Sequence, residues 1–219
     1  MKPYSILIFD WDGTLMDSEA HITQCMRNAI AIIGVEPRTD AEIRHIIGLG
    51  LEEAIQHLYP QEPGSVIRTI ADEYRQEFLV RSKHGSDLFV GARETLYQLA
   101  EQGYYLAIAT GKSRRGLDKV LDETGLAELF HVTRCADETR SKPHPLMLEE
   151  ILTDYDAASH DALMIGDSEY DLLMARNIGM DSLAVSYGVH ELERLLQHQP
   201  RGHVDDVSHI PIWLAEQAQ

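Results

Sequence analysis

The sequence predicts an α/β fold: a doubly wound, Rossmann-like parallel sheet with an all-helical segment inserted after its first strand. Three observations carry the prediction. Short, almost uninterrupted apolar runs recur at residues 4–9, 104–109, 162–165 and 182–185, the pattern of strands buried on both faces. Amphipathic helical stretches alternate with the later runs, as βαβ units require. Between the first and second runs, residues 18–88 show helical periodicity only.

Residues 4–9 read as the first strand, stopped by Asp10. Residues 20–33 form an amphipathic helix ending at Gly34, residues 41–47 a shorter one ending at Gly48, and residues 51–58 a third ending before Pro60. The longest helix covers 66–80, with Ile67, Ile70, Ala71, Tyr74 and Phe78 on one stripe. These helices make 18–88 an all-helical insert, and leave 1–17 with 89–219 as the α/β core. The core then resumes with helices at 92–102, 114–123, 145–152 and 170–177, and a weaker strand at 132–135. Gly103, Gly125 and Gly179 stand at helix ends. After residue 197, Pro200, Gly202 and Pro211 predict loop, a short strand near 203–207 and a single terminal helical turn.

With 219 residues, 44% hydrophobic and 25% charged, the chain reads as a soluble globular protein of one or two domains. Its net charge of −17, from 19 basic and 36 acidic residues, repels nucleic acid and anionic membrane surfaces. Lys112, Arg114 and Arg115 are the one tight basic cluster, too small for a duplex-binding face. Cys25 and Cys135 lie far apart and read as small buried side chains, which fits a reducing, cytoplasmic compartment. The four apolar residues from Ile6 to Phe9 are too few for a signal-peptide core, and no run approaches the ~20 apolar residues of a membrane span.

The residues just beyond each strand are informative. The first strand ends in Asp10-Trp11-Asp12-Gly13-Thr14, the second in Thr110-Gly111-Lys112, and the run at 162–165 in Gly166-Asp167-Ser168-Glu169-Tyr170-Asp171. Ligands of open parallel sheets bind outside the carboxyl ends of the strands, so these residues share one rim. Four carboxylates there repel one another unless a cation intervenes, and an oxygen-only set suits a hard ion such as Mg²⁺. Lys142, between Ser141 and Pro143 in a proline-stiffened loop, offers a fixed positive charge.

These motifs resemble, in order, the pattern of the haloacid dehalogenase superfamily: Asp-x-Asp-x-Thr, a strand-terminal Thr or Ser, a Lys, and Gly-Asp-x-x-x-Asp. Here they are Asp10 to Thr14, Thr110, Lys142 and Gly166 to Asp171. Within that family the layout and the Thr-Gly-Lys form look most like phosphoglycolate phosphatases with a small helical cap. The resemblance implies a Mg²⁺-dependent phosphatase acting on a small phosphate monoester through an aspartyl phosphate. Asp10 would be the nucleophile, and Asp12 the acid and base. Mg²⁺ would be held by the Asp10 carboxylate, the Asp12 carbonyl and Asp167, with Asp171 as a further ligand. Thr110, Gly111, Lys112 and Lys142 would hold the phosphoryl oxygens. The second aspartate favours phosphoryl transfer over dehalogenation.

A sugar phosphomutase or a pyrophosphatase of the same superfamily would share these motifs. A phospho-Asp signalling module would share the acidic pocket, but is about half as long and has no helical insert. Carbon–phosphorus bond cleavage would need an insert lysine, and Lys83 is the one candidate in the sequence. The expected partner is a small phosphorylated metabolite, with no nucleic acid or membrane, and the expected state a monomer.

Weaker signals remain. Gly48-Leu49-Gly50 lacks the third glycine and the preceding strand of a dinucleotide loop, and reads as either a substrate-facing cap loop or a plain turn. Arg44 and His45 before it are candidate substrate contacts, and His21 is a candidate gating or proton-transfer residue at the cap entrance. Trp11 should pack away from the aspartates that flank it.

Overall fold

The computed structural model of the protein describes residues 2–81 and 87–218. Strand β1 (Ile6–Phe9) is followed, after a turn, by the two-residue β2 (Met16–Asp17). Helices α1 (Glu19–Ile33), α2 (Asp40–His45), α3 (Leu51–Leu58) and α4 (Gly64–Gln76) come next. The single helix expected over 66–80 is in fact α4 running into a wider π-turn at Glu77–Arg81, where Glu77 is buried and accepts a hydrogen bond from Asn28 Nδ2 at 3.0 Å. The two-residue β3 (Asp87–Leu88) pairs antiparallel with β2, so the helices leave and rejoin the core through one narrow ribbon.

Local chemistry explains the helix ends. α1 stops on Gly34 at φ 79°, a conformation that glycine adopts without strain. α2 starts with a capping box between Thr39 and Glu42. The four helices close on an apolar cluster that includes Met26, Ile30, Ile43, Ile55, Ile67 and Ile70.

The remaining chain alternates α5 (Ala92–Glu101), β4 (Tyr105–Thr110), α6 (Arg114–Thr124), β5 (Phe130–Cys135), α7 (Leu146–Asp154), β6 (Ala162–Gly166), α8 (Glu169–Arg176) and β7 (Asp181–Val185). Helix α9 (Leu192–Leu196) falls where no element is expected. Strand β8 (Gly202–Val204) lies near the expected short strand. Helix α10 (Ile210–Gln217) is longer than the expected single turn. Pro211 sits in its first turn, where a missing N–H costs no helical bond, so it starts the helix instead of breaking it.

The strands form one parallel sheet in the order β5-β4-β1-β6-β7-β8, the doubly wound arrangement. Strand alternation divides the core. Leu7 and Phe9 join a layer with α5, α6 and α10, while Ile6 and Ile8 join one with α7 and α8. Fully burying each such side chain is worth roughly 1.5–3 kcal/mol. The chain winds outward from β1 to β5, then crosses back to β6, so the strand order reverses between β1 and β6. That reversal opens the crevice in which sheets of this type bind ligands. No helix among the described residues is long and apolar enough to cross a membrane.

Candidate active site

Asp10 comes directly after β1, and Asp12 lies in the turn beyond it. The turn closes through amide bonds from Leu15 and Met16 to the Trp11 carbonyl, each 3.0 Å. Trp11 points the other way: it is fully buried, meets Phe130 edge-on at 6.2 Å and donates Nε1–H to Met16 Sδ at 3.3 Å. Gly13, at φ 80°, comes so close to Asp167 that a Cβ there would overlap its carboxylate. Gly188 and Gly166 leave room in the same way for Asp167 and Asp171. Glycines thus make the space for two of the carboxylates.

Asp10, Asp167 and Asp171 are buried and offer oxygen atoms that all lie within 4.8 Å of one another. Each has a different set of partners. Asp167 Oδ1 accepts from Thr14 Oγ1 and Oδ2 from the Val189 amide, both at 2.8 Å. Asp171 Oδ2 accepts from the Ser168 amide (3.1 Å) and hydroxyl (2.6 Å), while Oδ1 accepts from Lys142 Nζ at 2.5 Å. Lys142 is buried, and its Nζ also lies 2.8 Å from Asp10 Oδ1, outside hydrogen-bond alignment. Asp10 Oδ2 therefore has no hydrogen-bond donor among the described residues, and Oδ1 faces only the Lys142 ammonium.

Electrostatics reflect this packing. Burial raises the Asp10 carboxyl well above its usual range; Lys142 opposes the shift, while Asp171 and Asp167 add to it. Asp167 is pushed up to about 7, first by burial and then by the charge of Asp171, against the Val189 and Thr14 hydrogen bonds. Burial alone would depress Lys142, but the two carboxylates beside it override that and raise it. Three carboxylates share one ammonium, which leaves a negative centre in a buried site. A hard divalent cation fits there: the cluster offers only oxygens, and Asp10 Oδ2 lacks a partner.

Asp12 stands apart from the three. Its carboxylate accepts from Ser18 Oγ at 2.6 Å and from Lys112 Nζ at 2.9 and 3.0 Å. Thr110, fully buried at the end of β4, accepts the Lys112 amide at 3.2 Å, and its own O–H has no acceptor among the described residues. Gly111 lies under the α2–α3 loop: a Cβ there would come within 2.5 Å of the Leu49 carbonyl and 2.6 Å of that of Gly48. The same loop donates the Gly50 amide to Ser141 Oγ, beside Lys142, at 2.7 Å.

A cavity of 380 Å³ opens on Asp10, Asp12, Gly111 and Lys112 from the core, and on Gly48, Leu49 and Gly50 from the loop. That loop is therefore more than a plain turn. Arg44 and His45 do not line the cavity. Arg44 pairs with Glu19 at 2.7 Å, and the His45 ring stacks 5.7 Å from that of His190. Arg114 is held by Glu138 and Asp118, and Arg115 points to solvent. His21 stacks on Phe78 at 4.7 Å. Cys25 and Cys135 are buried and free. Lys83 lies outside the described residues.

Sequence reasoning assigned no role to Thr14, Ser18 or Ser168, all of which hold a carboxylate. Ser168 had a readable signal: Ser-Glu-Tyr-Asp is capping-box spacing, and Ser168 with Asp171 forms that box at the start of α8.

The chain is similar to known hydrolases over most of its length. Residues 7–185 match the family model described as haloacid dehalogenase-like hydrolase. A phosphoglycolate phosphatase of Vibrio cholerae is 29% identical over 94% of this chain and 95% of its own. The Dickeya dadantii protein named "Probable phosphatase IndB" is 32% identical over 96% of this chain and 92% of its own. The crystal structure of a hydrolase from Pseudomonas syringae superposes with a TM-score of 0.88 at 22% identity, covering 98% of this chain and 99% of that one, a likeness of fold. With the strand-end carboxylates, the buried lysine and the sheet order all in place, the chain belongs to the haloacid dehalogenase-like hydrolase family.

Proposed function

We propose that the protein is a phosphatase that hydrolyses a small phosphate monoester in two steps, through a phosphoryl group carried on Asp10. Phosphoglycolate, for which the Vibrio cholerae relative is named, is the reference substrate. The observation that carries the reading is the Asp10 carboxylate: buried, with Oδ2 clear of donors and Oδ1 facing Lys142 Nζ at 2.8 Å. A nucleophilic carboxylate needs a lone pair not tied up by a donor, and a nearby cation to keep it ionised in a dry site.

In the first step an Asp10 oxygen bonds to phosphorus as the ester oxygen leaves. The phosphoryl oxygens draw Lys112 away from Asp12, which takes up a proton and gives it to the departing alkoxide. In the second step Asp12 takes a proton from the water that cleaves the aspartyl phosphate. The Thr110 hydroxyl, the Gly111 amide, Lys112 and Lys142 hold the phosphoryl oxygens. Asp10, Asp167 and the Asp12 carbonyl, with Asp171 as a further ligand, would hold Mg²⁺, which supplies positive charge against the phosphoryl oxygens. Residues 18–88 act as a cap that excludes water from the centre. Two free buried cysteines support action in the reducing cytoplasm.

The test is phosphate release from a panel of monoesters, phosphoglycolate among them, with Mg²⁺ and with EDTA. Turnover with Mg²⁺ that EDTA abolishes is expected. Turnover indifferent to EDTA overturns the metal assignment, and an active Asp10→Asn protein overturns the nucleophile.

A further inference from the structure

The cavity beside Asp12 has a wall that phosphoglycolate does not call for. Facing the core residues are Ile22, Met26, Ile47, Leu49, Tyr74 and Phe78. The rings of Tyr74 and Phe78 lie nearly parallel, 5.8 Å apart at 22°. Although Tyr74 is largely shielded from solvent, its hydroxyl makes no hydrogen bond with any described residue. It is a polar atom left over at the rim of an apolar surface.

The charges point the same way. The lining holds five carboxylates (Asp10, Asp12, Glu52, Glu53 and Asp137) and two cations, Lys112 and Arg75. Each cation already has a carboxylate partner, and Lys112 is the one that the phosphoryl oxygens draw away. Lys112 is shared between the two Asp12 oxygens, and Arg75 pairs with Asp72 at 2.7 Å and Glu52 at 3.5 Å. A carboxylate on the leaving group would have no free cation among the described lining residues and would face Glu52, Glu53 and Asp137. Bringing such a charge out of water without a partner is costly, whereas an apolar ring gains by burial. The 380 Å³ volume, which also takes in the phosphoryl end at Asp10 and Lys112, lies within the range of small-molecule pockets, about 300–1,000 Å³.

We propose that the alcohol released at this site is uncharged and carries an apolar or aromatic body, selected by Tyr74 and Phe78 against alcohols that end in a carboxylate. The proposal rests on the phosphatase reading and specifies its substrate class. Tyr74 and Phe78 hold the body, and the Tyr74 hydroxyl pairs with a neutral polar group on it.

Benzyl phosphate and phosphoglycolate test this directly, because both are esters of primary alcohols and differ in a phenyl ring against a carboxylate. With Mg²⁺, kcat/KM for benzyl phosphate should exceed that for phosphoglycolate by about ten-fold or more, and Tyr74→Ser should erase most of that margin through KM. Calorimetry on the Mg²⁺-loaded Asp10→Asn protein gives a readout that needs no turnover: benzylphosphonate should bind about ten-fold more tightly than phosphonoacetate. Equal or reversed preference in turnover and binding overturns the proposal and leaves the phosphatase reading standing. Failure of both phosphonates to bind also overturns it. Selective benzylphosphonate binding without turnover of any ester supports the pocket assignment and overturns the phosphatase reading instead.

Discussion

Lys112 Nζ holds both oxygens of the Asp12 carboxylate, at 2.9 and 3.0 Å, across 100 residues of sequence. The same ammonium lies 4.6 Å from the centre of the Phe78 ring. One side chain at the end of β4 therefore touches both a carboxylate of the first turn and an aromatic residue of the helical segment.

Replacing it should damage chemistry more than folding. Lys112→Met is expected to lower kcat/KM by about 10²-fold, as losing one charged donor at a phosphoryl site does. Lys112→Arg should recover part of the loss, since it keeps the charge. Steady-state kinetics on both variants checks this, and a Met variant with unchanged kcat/KM would contradict the role given to Lys112.

Lys142 is a different case because it is buried among carboxylates. In Lys142→Met three acidic groups remain without their one ammonium, and breaking a buried pair in this way costs about 3–5 kcal/mol. Urea unfolding in EDTA should show that loss, and added Mg²⁺ should return part of it by binding the folded state. A variant as stable as the parent in EDTA would mean that the carboxylates are already neutral.

Asp167, pushed up to about 7, gives stability an unusual pH slope. Its unfolded carboxyl titrates near about 3.9. Between those values the folded protein keeps a proton that the unfolded chain has lost, so this group's contribution falls as pH rises from about 4 to about 7. Melting temperatures in EDTA should decline across that window, and saturating Mg²⁺ should remove the decline by replacing the proton. The Asp167→Asn protein should lack this part of the slope. An identical decline in that variant would place the titrating group elsewhere.

Gly111 carries the contact between the core and the α2–α3 loop. A methyl group there meets the carbonyls of Leu49 and Gly48, so Gly111→Ala should force the loop outward. The expected result is a fall of about ten-fold or more in kcat/KM from misplaced groups. The melting temperature should shift by only a few degrees, because the sheet is untouched. A large stability loss with kinetics preserved would show that the contact is structural alone.

Much of this was legible in the sequence because parallel strands buried on both faces appear as compact apolar runs, and the polar residues at their carboxyl ends stand out against them. Asp10, Asp12, Thr110, Asp167 and Asp171 could be placed on one rim in that way. The ribbon of Met16–Asp17 with Asp87–Leu88 could not, since two residues have no period to read. Pro211 was misread because proline starts helices as readily as it ends them. Tyr74 and Phe78 were visible as members of an apolar stripe, but a stripe does not say which of its residues face a cavity and which face the core. The pairing of Lys112 with Asp12 depends on β1 and β4 lying side by side, a fact of topology that no local pattern carries.

The loop at Gly48–Gly50 meets the core through main-chain atoms: two carbonyls over Gly111, and one amide on Ser141. Contacts of that kind are indifferent to the side chains around them. Residues lining the cavity from α1 and α4 can therefore change without loosening the closure, and a new leaving group could be accommodated by a few substitutions there. On the phosphatase reading, closure over the centre and fit to the leaving group therefore rest on different atoms of the helical segment.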